Sequence, residues 1–230
     1  MPIALKERAQ EVLPGLSGVL HRYRFRILLA ALLAMLASAP LTIGDSALDP
    51  FFGLAFSVVI LAGLLAMKHE RILLLLAVLL GVPALIARWI SILVPEQTTA
   101  LFGALFPIFF LSFFVVFLLR AVVTADPVTT DTIAGALSVY LLLGFAWSLV
   151  YQSLVLVEPA AFHAGSAIAD TGALDRMDFV YYSFITLATV GYGDITPVTP
   201  LAQSFAYAEA VTGVLYVAVL VARLVSAYRR

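Results

Sequence analysis

The chain of 230 residues has no cysteine, little charge and no catalytic signature. Without cysteine there are no disulfides and no thiolate metal sites, and the redox compartment stays open. Charged residues make up only 12% of the chain and hydrophobic ones 63%, with a mean hydropathy of +1.08. A soluble domain of this length needs a more polar surface, so the composition places the chain in a lipid bilayer. The net charge of -1 offers no basic footprint for nucleic acid. Neither an HExxH nor a GxSxG motif occurs, and the three histidines (His21, His69 and His163) are far apart in sequence, which argues against a membrane enzyme. Nor does the chain open like a secretory signal. Its start is polar and partly amphipathic (Lys6, Glu7, Arg8, Glu11), and the first apolar run begins only near Arg26. The segment up to about Tyr23 is expected to lie on the inner membrane surface.

What the chain does have is long apolar runs. A hydrocarbon core about 30 Å thick takes about 20 apolar residues per helix. Six runs qualify: Arg26–Ile43, Phe51–Met67, Arg71–Val94, Thr98–Val123, Asp131–Val157 and Pro200–Val225. A shorter run, Asp178–Leu187, is too short to span and reads as a re-entrant helix. Asp131 is expected to cap the fifth helix, and Thr199 with Pro200 to open the sixth. Pro83 and Pro107 fall inside the third and fourth runs and predict kinks there.

The basic residues set the orientation. With the N-terminus in the cytoplasm, Lys6, Arg8, Arg22, Arg24, Arg26, Lys68, Arg71, Arg120, Arg223, Arg229 and Arg230 all lie inside, and only Arg88 and Arg176 do not. Both termini are then cytoplasmic, and the expected location is the cell membrane. Asp45, Asp49, Glu96, Glu158, Asp170, Asp175, Asp178 and Asp194 fall in outer loops. Such an acidic rim would gather cations, although outer loops also need polarity simply to stay wet.

The most informative stretch is Thr189-Val190-Gly191-Tyr192-Gly193-Asp194, between the short run and the last long one. A dehydrated cation needs oxygens to replace its water, and backbone carbonyls supply them if successive residues turn them to one side. That takes alternating backbone conformations, some with positive φ, which glycine adopts at little cost. Gly191 and Gly193 give that freedom. Val190 and Tyr192 would pack outward, and the Thr189 hydroxyl would add an oxygen at the inner mouth. TVGYG is a potassium-filter sequence, and here the chain resembles the tetrameric potassium channel family, in a six-transmembrane bacterial form without a charged voltage-sensor helix. A chance TVGYG in a turn is the competing account.

The resemblance implies an all-α membrane protein: six transmembrane helices, a re-entrant pore helix and a filter loop, assembled as a homotetramer around a central pore. One strand of carbonyls cannot surround an ion, whereas four copies can. Potassium ions would sit at the backbone oxygens of Thr189, Val190, Gly191 and Tyr192, with no organic cofactor. Residues 1–25 would be the N-terminal segment, 26–123 a four-helix peripheral domain and 131–230 the pore domain. No cytoplasmic regulatory domain is expected in this chain.

Several residues around the filter carry expectations of their own. Tyr182 is either a cuff residue bonding to Tyr192, as the resemblance implies, or an interfacial aromatic like Tyr181 and Phe184. Ile185 stands where some family members have a glutamate that bonds the residue equivalent to Asp194, so Asp194 needs another partner or faces the outer vestibule. Glu209 is an ionisable group well inside a membrane helix. It either tunes gating from behind the filter or ties the last helix to the pore helix through Thr186 or Ser183. Gly213 matches the family's hinge glycine or allows close helix packing. Val214, Val217 and Val221 share one helical face and would line an apolar cavity that can gate by dewetting.

The fourth run has one basic residue, Arg120, and is rich in phenylalanine (Phe102, Phe106, Phe109, Phe110, Phe113, Phe114, Phe117). A voltage sensor needs several charges, because each gains only about 2.3 kcal/mol per 100 mV. Little or no voltage gating is therefore expected. Arg88 could snorkel outward or pair with an acid such as Glu96. The short link from Ala121 to Thr130 favours each peripheral domain packing on its own subunit's pore domain. Other readings are a cation channel of poor selectivity, disfavoured by the intact Tyr192 and Asp194, and a potassium transporter subunit, which would usually carry several looser motifs in one chain.

Overall fold

The computed structural model describes residues 23–38, 49–66, 71–94, 96–165 and 174–228. The N-terminal segment, Lys68, Asp45, Asp170 and the two last arginines lie outside the described residues. Among the described residues there are seven helices: α1 (Arg24–Ser38), α2 (Asp49–Ala66), α3 (Arg71–Leu93), α4 (Gln97–Thr124), α5 (Thr130–Val157), α6 (Arg176–Leu187) and α7 (Pro200–Tyr228). Two three-residue strands, β1 (Phe162–Ala164) and β2 (Ile195–Pro197), complete the set. The strands depart from an all-helical expectation. They pair antiparallel, Phe162 with Pro197, His163 with Thr196 and Ala164 with Ile195.

Four helices, α3, α4, α5 and α7, are long and apolar enough to cross a membrane. Of the six expected spans, these four meet the length and apolarity over the described residues; α1 is described over 15 residues, and the apolar stretch of α2 runs over Gly53–Leu64. The helix starts follow side-chain chemistry. Glu96 caps α4 in a reciprocal box with Thr99. The cap of α5 is Thr129, boxed with Thr132, and not Asp131. Asp131 sits in the first turn, where it accepts the backbone N–H of Arg26 at 3.2 Å, while the Arg26 guanidinium bonds the Thr130 hydroxyl. These bonds fasten the start of α1 to the start of α5. The short helix begins at Arg176 rather than Asp178, because Asp175 accepts from the N–H groups of Met177 (2.6 Å) and Asp178 (3.0 Å). Asp178 bonds the Asp175 N–H in return, which closes a capping box.

Helices α1 to α4 pack each on the next, and α1 and α4 also pack on α5 of the same chain. Leu28, Leu32, Ile60, Phe110, Phe114, Leu118 and Leu142 form one continuous apolar core between these helices. The phenylalanine-rich face of α4 supplies a stacked ladder, Phe110 on Phe114 at 6.0 Å and Phe114 on Phe117 at 6.3 Å between centroids. Both α3 and α4 remain helical through Pro83 and Pro107. Arg88 does not snorkel outward: it is 6% exposed.

Candidate functional site

The loop from Ala188 to Asp194 is held at both ends. At its start, the C-terminus of α6 hands its carbonyls to the loop: Ala188 N–H donates to Phe184 (3.0 Å), Thr189 N–H to Thr186 (2.9 Å) and Val190 N–H to Ile185 (2.8 Å). The negative end of the α6 dipole therefore points at the loop, where it favours a cation. At its end, Gly165 N–H donates to the Asp194 carbonyl at 2.7 Å, and β2 pairs with β1 directly afterwards. Thr199 then donates its hydroxyl to Glu158 at the end of α5, 2.9 Å away.

Between these anchors the backbone alternates. Thr189, Gly191 and Gly193 have φ of 57°, 54° and 81°, while Val190 and Tyr192 do not enter the left-handed region. Left- and right-handed residues in turn bring successive carbonyls to one side of the chain. Glycine takes such φ values freely, but Thr189 is β-branched and strained there, at a cost of about 1–3 kcal/mol. The sequence pointed to the two glycines for this role; Thr189 does the same and was not foreseen. The loop's side chains have almost no cover within the chain: Val190 is 51% and Tyr192 72% exposed.

Behind the loop lies an aromatic cluster. Tyr151, Phe162, Phe179 and Tyr182 meet edge to face, with centroids 5.0–5.5 Å apart. Tyr182 is only 4% exposed and bonds Thr186 one turn on, so within the chain it faces this cluster and not Tyr192. It is Tyr181 that reaches the loop, donating its hydroxyl to Asp194 Oδ2 at 2.6 Å. Asp194 thus has a partner on α6 after all. That bond to the carboxylate, then burial, pushes the Tyr181 hydroxyl up to about 12.

The last helix meets the site from below. Glu209 is fully buried, with Tyr151 Oη and Ser183 Oγ each 2.5 Å from its carboxyl oxygens. Of the two α6 partners considered for it, Ser183 makes the bond, and Tyr151 joins from α5. Gly213 lies against the last turn of α6, where an added Cβ would collide with the Leu187 carbonyl. Val214, Val217 and Val221 share an exposed face of α7. At the far end of α7, Arg223 donates to the carbonyls of Val123 (3.1 Å) and Ala125 (2.7 Å), which end α4.

The described residues hold no cluster of His, Asp or Glu with metal-binding geometry.

Residues 136–230 match the ion channel family. That family is one of channels and not of enzymes, and the match takes in α7, the loop, α6 and nearly all of α5. A "Two pore potassium channel c" of Oryza sativa subsp. japonica is 43% identical over 49 residues, 21% of this chain and 11% of the relative. A "Potassium channel K1" of Plasmodium berghei (strain Anka) is 45% identical over 51 residues, 22% of this chain and 3% of the relative. "Protein LctB" of Bacillus caldotenax is 38% identical over 86 residues, 37% of this chain and 62% of the relative. The chain therefore spans less than two thirds of each relative's length. No solved structure matches it.

Proposed function

We propose that the protein is a subunit of a potassium-selective channel that passes K+ down its gradient through a filter made of the Thr189–Gly193 carbonyls. The observation that carries this reading is the alternation of positive φ at Thr189, Gly191 and Gly193 at the C-terminus of a short, dead-ended helix. A desolvated cation needs main-chain carbonyls turned to one side, which that backbone can supply. The names of the two potassium-channel relatives agree with it.

The assembly is a homotetramer in the cell membrane, with both termini cytoplasmic and Asp194 on the outer side. The uncovered side chains of Val190, Tyr192, Val214, Val217 and Val221 support four-fold assembly, because one chain alone leaves them exposed around the loop and along α7. Helices α1 and α2 complete six spans. Gating does not depend on voltage, since α4 carries a single basic residue at its end, Arg120.

Proteoliposomes loaded with K+ test the proposal. A K+ flux that barium blocks, that Gly191→Asp abolishes and that exceeds the Na+ flux is expected. Equal fluxes of the two ions would indicate an unselective cation channel. A subunit count other than four would remove the basis for the filter.

A further inference from the structure

The one carboxyl group in α7 sits at a junction of three helices. Glu209 meets Tyr151 of α5 through Oε2 and Ser183 of α6 through Oε1, both at 2.5 Å. The same Ser183 oxygen lies 2.7 Å from the carbonyl of Gly144 on α5. Three oxygen–oxygen contacts thus have to be filled with hydrogens. Tyr151 owns one and Ser183 owns one.

Were Glu209 ionised, those two hydrogens would have to serve three contacts. Ser183 could point its hydrogen at Glu209 or at Gly144, and the other pair of buried oxygens would face each other without a hydrogen between them. A hydrogen on Oε1 removes the conflict. Glu209 then donates to Ser183, Ser183 donates to Gly144, and Tyr151 donates to Oε2. Every contact is filled, and the bonds run in one direction from α7 through α6 to α5.

The surroundings offer a carboxylate no compensating charge. The titratable groups that face Glu209 are Tyr151 and Tyr140 from α5 and Tyr182 from α6, and none of them brings a positive charge. Among the described residues no lysine, arginine or histidine contributes to its environment. A buried charge left without a partner or a metal is costly, which favours the neutral acid.

We infer that Glu209 is a neutral carboxylic acid in the folded protein, and that its chain of bonds through Ser183 to Gly144, with Tyr151 as second anchor, latches α7 and α6 to α5 behind the filter loop. Ser183 lies in α6, whose C-terminal carbonyls hold the loop's first residues. Glu209 is thus a positioning residue, acting on ion passage through α6 rather than by touching an ion. This function rests on the channel reading, whereas the protonated latch does not.

The test uses the full-length tetramer in liposomes, with infrared difference spectroscopy beside flux measurements. A protonated-carboxyl band that moves on 13C-glutamate labelling and is absent from Glu209→Gln is expected. A spectrum showing Glu209 only as carboxylate would overturn the inference, whatever the fluxes. Glu209→Gln keeps one donor and one acceptor in the same places, so its K+ flux and K+/Na+ ratio should stay close to those of the wild type. Glu209→Ala and Ser183→Ala each leave a buried polar group unfilled, and about a tenfold fall in K+/Na+ ratio is expected, the size of one such loss. Glutamine behaving as badly as alanine would show that the negative charge matters, and would refute the latch as drawn. Should Glu209→Ala fail to fold, Ser183→Ala and the wild-type spectrum still decide. Wild-type liposomes that pass no K+ would refute the channel reading alone, because the band reports the latch independently.

Discussion

The bond from Tyr181 to Asp194 is the contact at which one hydroxyl changes what the loop can do. Asp194 closes the loop, and its carboxylate has one side-chain donor from α6 at 2.6 Å. Tyr181→Phe removes that donor and leaves the ring in place. The pair is partly exposed, so solvent screening keeps the loss near about 1 kcal/mol rather than the value of a buried charged bond. The expected outcome is a loop that stays open for less time under steady K+ current, with peak selectivity retained, read from single-channel recordings. The pH dependence has a fixed sign. The phenol is held up to about 12, above its ordinary value, so the bond is intact below about 10 and is lost only as the pH rises through about 12. Channel lifetime should therefore show no alkaline transition near pH 10 from this residue. The bond was not legible in the sequence. Tyr181 and Tyr182 are neighbours in the same aromatic run, and which of them faces the loop depends on where α6 starts. The Asp175 cap sets that start two residues before the apolar run does. The glycines were legible because no other residue takes left-handed backbone freely, while Thr189 in that conformation breaks the rule and so left no mark in the composition.

Of the described glycines, Gly213 makes the tightest approach, that of α7 to the end of α6, which favours close packing over a hinge. The collision of an added Cβ there is with a backbone carbonyl, that of Leu187, which cannot swing aside. At Gly144 an added Cβ would meet the Phe184 ring, at 2.6 Å, and a ring can turn. Gly213→Ala should therefore cost more than Gly144→Ala, by about 1–3 kcal/mol of overpacking strain. It should also move the last turn of α6, from which the loop hangs. The measurement is thermal stability of the assembled protein beside its K+/Na+ ratio: Gly213→Ala lowers both, and Gly144→Ala lowers mainly the first. A glycine serving only as a hinge would instead leave stability and selectivity alone and change open time. The helices themselves were readable from apolar runs, since the pattern of burial in a membrane is coarse. The β1–β2 ladder was not, because three residues per strand carry no periodicity and the partners are more than thirty positions apart. Nor was the Tyr151–Glu209 bond, which joins residues 58 positions apart on helices whose facing sides are set only by packing.

For the whole molecule, the question is what the four peripheral helices add. Their core is aromatic and aliphatic, and α4 buries Phe110 and Phe114 where a sensor would place arginines. The basic residue it does carry, Arg120, is exposed near its C-terminal end, so it crosses little of the membrane field. A buried cation, Arg88, belongs to α3 and sits with Ser91, Gln152 and Arg176 at the wall between the peripheral helices and the pore-side helices. A group walled in by two packed bodies cannot translate through the field without parting them. The peripheral domain is instead tied to its own pore side at the end away from the loop, by Arg26 to Asp131 and Thr130 and by Arg223 to the last carbonyls of α4. One elementary charge moved fully across the membrane gains about 2.3 kcal/mol per 100 mV, so a residue at the edge of the field contributes only a small fraction of that. Bilayer recording in symmetrical K+ should then give a conductance that changes by less than about twofold over 100 mV, where even one full gating charge per subunit would change it far more. Arg120→Gln should leave that curve unchanged. A steep, sigmoidal curve that flattens in Arg120→Gln would show that α4 senses voltage despite its phenylalanines.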